Sequence, residues 1–213
     1  MGSLICHQLP SRTLYAGGRL LPVCARDMGI YSGIFISALF LMVLRRLRAQ
    51  KPPDIVSTVV MCVLMLPMVS DGILSYTGVI ETNNAARLFT GLLFGLPIPF
   101  LLIPAAHYSI LGQNERPVLR HIIELLPVYV IGAILGLLLL KGLVPYELAG
   151  LIYVFGLVFL LSRITYTILA RMRRVRHRIL YPLTAAGTLC VLTVLYLLSA
   201  HVLQPLKEML LKG

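Results

Sequence analysis

Ile55-Val56-Ser57-Thr58-Val59-Val60-Met61-Cys62-Val63-Leu64-Met65-Leu66-Pro67-Met68-Val69-Ser70-Asp71-Gly72-Ile73-Leu74-Ser75-Tyr76-Thr77 is an apolar run with Asp71 as its only acidic or basic side chain. About 20 such residues cross the roughly 30 Å of hydrocarbon in a bilayer. Lipid offers no partner for backbone amides, so a spanning run of this kind must be a helix. Outward from it, comparable stretches lie at 28–47, 87–110, 122–140, 148–169 and 179–203. The expected fold class is an all-α integral membrane protein: a bundle of about six transmembrane helices with a short amino-terminal extramembrane motif. The expected division is an extracytoplasmic Cys-His segment, 1–27, and a transmembrane domain, 28–213.

Composition excludes a soluble domain. The 213 residues are 58% hydrophobic and 13% charged, whereas charged residues make up about a quarter of soluble domains. The net charge of +11 sits in short arginine clusters between apolar runs, which excludes a nucleic-acid face and reads as topology signals. Arg45, Arg46, Arg48 and Lys51 follow the first span. Arg116 and Arg120 follow the third, and Arg171, Arg173, Arg174, Arg176 and Arg178 follow the fifth. The positive-inside rule makes these loops cytoplasmic and both termini extracytoplasmic; Arg12, Arg19 and Arg26 oppose it weakly. The first 27 residues lack the apolar core of a cleavable signal, so the first helix is expected to be retained. Cys6 stands where a myristoylation signal wants serine or threonine, which argues against lipidation.

Gly29-x-x-x-Gly33, Gly91-x-x-x-Gly95 and Gly132-x-x-x-Gly136 allow close backbone approach, within the bundle or between copies in a homo-oligomer. Pro67, Pro97, Pro99, Pro104 and Pro127 fall inside spans. The Pro97-Ile98-Pro99 pair is the expected helix discontinuity.

Two thiols, an imidazole and a carboxylate precede or open the first helix: Cys6, His7, Cys24 and Asp27. These are zinc's usual donors, and Cys24-x-x-Asp27 has the short spacing that brings two ligands to one ion from a turn. A Cys6–Cys24 disulfide and simple packing are the alternatives. Asp71 lies about 24 Å along its helix from Ile55, near the outer end. Arg26, Asn84, Arg87 and His201 are expected on the same side. Ionisable groups at membrane depth usually face a cavity or a partner. An Asp71–Arg87 or Asp27–Arg87 ion pair that pins helices is the structural alternative, and Gly72 could end the helix and leave Asp71 wet. Cys62 and Cys190 read as small hydrophobes. His107, His121 and Glu124 read as interfacial, and Arg163 as a snorkelling anchor. No phosphate-cradling loop, nucleophile elbow or dinucleotide fingerprint occurs.

Cys6-His7-Gln8-x-Pro10-x-Arg12 and Pro22-Val23-Cys24-Ala25-Arg26-x-x-Gly29-Ile30-Tyr31-x-Gly33 resemble the signature of a family of small prokaryotic membrane proteins, domain of unknown function 2085. Asp71-Gly72 and Thr82-Asn83-Asn84-x-x-Arg87-x-x-Thr90-Gly91 are similar to its second motif block. The likeness covers about the first half of the chain, and the later helices match only in character. The resemblance implies a second cysteine after Cys-Ala-Arg, where this chain has Asp27. Aspartate can ligate zinc but cannot form a disulfide, which favours metal over thiol chemistry.

Three functions follow as expectations. The first is a zinc-dependent hydrolase or transferase acting on a lipid or isoprenoid headgroup at the outer leaflet. In it Cys6, His7, Cys24 and Asp27 hold the metal, Arg26 and Asn84 are cofactor-binding, and Asp71, Arg87 and His201 are catalytic. The second is a carrier or channel with a proline-broken third helix. The third is a structural or assembly protein with a closed metal site or disulfide. Membrane lipids and an anionic, lipid-like substrate are the expected partners, and nucleic acid is excluded.

Overall fold

A computed structural model describes residues 12–78, 82–109, 112–172 and 177–198. Six helical segments are long and apolar enough to cross a membrane, as the sequence predicts. The elements are β1 (Thr13–Ala16), β2 (Arg19–Cys24), α1 (Ala25–Val43), α2 (Ile55–Tyr76), α3 (Asn84–Gly95), α4 (Ile98–His107), α5 (Leu125–Leu140), α6 (Tyr146–Arg171) and α7 (His177–Leu198). A turn of 3-10 helix, Ile122–Glu124, leads into α5.

Lipid tails are as apolar as leucine, so contact area between helices, and not escape from water, holds such a bundle together. The glycine pairs supply that contact. Gly29 and Gly33 of α1 lie against the backbone of Leu88 to Leu96, while Gly91 and Gly95 lie against Arg26 and Ile30. These two helices therefore run parallel with their backbones touching. Gly156 of α6 meets the Tyr31 backbone in the same way. Spans one, three and five thus form the centre. The return spans lie outside, and α2 and α7 turn most of their surface outward. Cys62 and Cys190 are on those outer surfaces.

The third span is divided where the prolines predict, with α3 ending at Gly95 and α4 starting at Ile98. Ser37 of α1 donates its hydroxyl to the buried Leu96 carbonyl at the break, at 2.6 Å.

The hairpin was not anticipated. Gly17 and Gly18, with φ of +55° and +77°, make the two-residue turn that joins β1 to β2 in antiparallel register, Ala16 opposite Arg19 and Tyr15 opposite Leu20. Left-handed backbone at both central positions is what glycine permits most cheaply. Leu14, Ala16, Leu21 and Val23 are buried in the same cluster as Met28, Ile34, Leu88 and Tyr153. The hairpin, residues 13–24, therefore packs into the bundle's core. Helix α1 also begins at Ala25, three residues before the expected position, which puts Asp27 inside its first turn.

The opposite end gathers the arginine-rich loops. The Gln50 and Lys51 amides donate to the Arg116 carbonyl, Lys51 and Pro117 form a parallel bridge, and Arg46 pairs with Glu124 at 2.5 Å. Arg171 reaches the Ala105 carbonyl at 2.9 Å. The first, third and fifth spans thus end together, as the charge pattern requires.

Candidate functional site

The polar cluster sits where the hairpin meets α1, α2 and α3. Cys24 is the N-cap of α1 but caps no amide with its side chain, and Asp27 stands in the first turn, where the helix's positive end favours a carboxylate. Both are half-buried. A cap and the third helical residue lie on one turn, so the two expected metal donors share a face. Among the described residues no three metal-ligating side chains gather. Cys6 and His7 lie outside the described residues, as does His201.

Asp71 is 8% exposed. It belongs to the stripe of α2 that faces the bundle, together with Ser57 and Met61. Gly72 does not end the helix, which continues to Tyr76. The carboxylate's partner is Arg26, not Arg87. Arg26 Nε and Nη2 both donate to Asp71 Oδ2, at 3.0 and 2.5 Å. The other oxygen, Oδ1, is buried with no hydrogen-bond partner among the described residues.

Arg87, 7% exposed, enters the cluster from the first turns of α3. Its Nε donates to Thr82 Oγ1 at 3.0 Å and its Nη2 to Ser75 Oγ at 3.5 Å. Around it lie the guanidiniums of Arg12 and Arg26 and the carboxylate of Asp71. Neutral hydroxyls thus hold the Arg87 guanidinium, while the Asp71 carboxylate bonds Arg26. Such an end of a bundle suits an anion, since guanidinium pairs bind phosphate or carboxylate with two parallel hydrogen bonds.

Asn84 stands apart from this group. Its Nδ2 donates to the Thr13 carbonyl at 3.4 Å, which ties α3 to the hairpin, and its Oδ1 is buried without a partner among the described residues. A cavity of about 510 Å³ between the hairpin and the end of α5 is lined by Asn84, Thr13, Tyr15 and Lys141. Its lining does not include Asp71, Arg26 or Arg87.

The fold thus joins Arg26, Asp71 and Arg87, puts Cys24 and Asp27 on the adjoining turn, and leaves Asn84 apart, tied to the hairpin. Sequence reasoning missed Ser75, Thr82 and Arg12 as members. Thr82 stands five residues before Arg87, and that spacing around a helix cap was the available signal. At the other end, His107 bonds the Ile103 carbonyl of its own helix and Glu124 pairs with Arg46.

No solved structure matches the chain. It is similar to an uncharacterized protein of Methanocaldococcus jannaschii, 32% identical over 102 residues, which cover 48% of this chain and 64%, under two thirds, of that one. It is also similar to an uncharacterized protein of Methanothermobacter thermautotrophicus, 34% identical over 99 residues, 46% of this chain and 83% of that one. Residues 6–101 match the family model described as "Predicted membrane protein (DUF2085)". These residues contain the hairpin, both glycine pairs of the α1–α3 contact and every member of the Arg26–Asp71–Arg87 cluster. The chain belongs to the DUF2085 family of membrane proteins.

Proposed function

We propose that the hairpin end of the bundle is the site of a zinc-dependent hydrolase or transferase acting on an anionic lipid or isoprenoid headgroup at the outer leaflet, with both termini extracytoplasmic. The supporting observation is the buried Asp71 carboxylate, which Arg26 holds through Oδ2 with Arg87 close by, and whose Oδ1 has no partner among the described residues. Charges at membrane depth are costly and mark functional sites by default. In this scheme Arg87 and Arg26 hold the headgroup's anionic oxygens. Arg26 fixes Asp71 through Oδ2, leaving Oδ1 to accept a proton from water or a hydroxyl, and His201 is the second candidate for that role. Asn84 orients the substrate's polar end. The positive-inside rule supplies the orientation.

Cys24 and Asp27 fit two of the four positions of a zinc site, in donor type and in sharing one helical turn; Cys6 and His7 would complete it. Zinc held there supplies a Lewis acid next to the anion. Metal analysis of the purified protein tests the proposal. Stoichiometric zinc, lost in Cys24→Ala, supports it, and a metal-free protein whose Cys6 and Cys24 thiols do not titrate overturns it in favour of a disulfide.

A structural role is the second reading, favoured by the Arg26–Asp71 pair itself, which fastens the otherwise lipid-facing α2 to α1. A closed site with four protein ligands and no substrate effect would identify it.

A further inference from the structure

At the opposite end of the bundle, α6, α7 and the end of α1 enclose a cleft of about 660 Å³. It is independent of the hairpin site. Leu151, Val154, Phe155 and Val158 form its apolar wall, and Arg163, Tyr166 and Tyr181 lie at its polar end. From Leu151 to Arg163 the cleft follows α6 for about 18 Å, close to the hydrocarbon depth of one leaflet.

Arg163 lies about 12 Å along the helix from Arg171, the arginine at the end of α6. It is half-buried. Its guanidinium carbon stands 5.3 Å from the Phe159 ring centroid. The ionisable groups near it include Tyr166, Tyr181, Arg48 and His107, with no carboxylate among them. Arg48, from the loop after α1, donates to Tyr181 Oη at 3.3 Å, which brings the second cation to the same mouth. Arg46, by contrast, is neutralised by Glu124. Two cations facing a lipid-length apolar cleft without an acidic partner among the described residues call for a ligand that is anionic at one end and aliphatic along the rest.

We infer that this cleft binds one anionic phospholipid, its phosphate between Arg48 and Arg163 and an acyl chain along the α6–α7 wall. The hydroxyls of Tyr166 and Tyr181, hydrogen-bonded to each other, make the polar end of the cleft beside them. Such a lipid would fasten α7, the outermost span, to the bundle.

Native mass spectrometry of the full chain, released from mixed micelles of equal dioleoyl phosphatidylglycerol and dioleoyl phosphatidylcholine, tests this. One phosphatidylglycerol should be retained in preference, by about tenfold, given a charge-assisted contact. Arg163→Gln should remove the preference, Val158→Phe should remove the bound lipid by filling the cleft, and Arg171→Gln should change neither. Equal retention of the two lipids overturns the proposal. So does a preference that survives Arg163→Gln or Val158→Phe, or one that Arg171→Gln abolishes equally, which would mean general charge attraction. Should Arg163→Gln fail to accumulate, Arg48→Gln decides in its place by the same criterion.

Discussion

Gly95 rests directly on the backbone of Ile30: a methyl group built on Gly95 would lie 2.1 Å from the Ile30 carbonyl oxygen. Backbone cannot swing aside as a side-chain tip can. Gly95→Ala is therefore expected to force α1 and α3 apart, at a cost of about 3 kcal/mol, the upper part of the usual overpacking range. Gly72→Ala, where a methyl meets nothing within 4 Å, should be tolerated. Denaturation midpoints of the two variants in mixed detergent check the contrast.

Ser37 and the kink make a second prediction. Ser37→Ala removes the hydroxyl that donates to the Leu96 carbonyl and leaves that acceptor buried. The expected loss is about 1 kcal/mol, with faster amide exchange confined to Ile98 through Leu101. Unchanged exchange there would show that the prolines set the bend without Ser37.

Breaking the Arg26–Asp71 pair from one side should cost more than removing it whole. Arg26→Gln or Asp71→Asn leaves one buried group unmatched, at roughly 3 kcal/mol, whereas the double variant Arg26→Met, Asp71→Leu should recover much of that. A recovered fold with lost activity or anion binding favours the enzyme proposal; recovered fold with unchanged activity favours the structural role.

Asp54 gives a pH dependence at the start of α2. It accepts hydrogen bonds from the Ser57 amide and hydroxyl, and these hold its carboxyl below the ordinary carboxylate range. A lowered folded pKa means that the contribution is complete above the ordinary value of about 3.9 and is lost as the pH falls through the lowered one. Acidification should therefore speed exchange of the first-turn amides of α2 in the native protein. Asp54→Asn, a good cap that does not titrate, should show no such pH dependence.

The sequence by itself determined the spans, their number, the shared side of the arginine loops and the break at Pro97. Each of these follows from local composition: length against bilayer thickness, charge against a membrane, and the missing amide of proline. The glycine pairs announced close packing, and they provide it. Which helix each pair meets was settled only in three dimensions, because small residues permit approach without naming a partner. The hairpin was legible in Tyr15-Ala16-Gly17-Gly18-Arg19-Leu20, but its short strands carried little signal beside six long apolar runs. At the site, the sequence supplied the members Arg26, Asp71 and Arg87 by type and depth. It could not choose Arg26 over Arg87 as the partner of Asp71, since that depends on how α1, α2 and α3 rotate about their axes. The Gly29, Gly33, Gly91 and Gly95 contacts fix the facing of α1 and α3. Tertiary packing therefore decides which oxygen of Asp71 Arg26 holds.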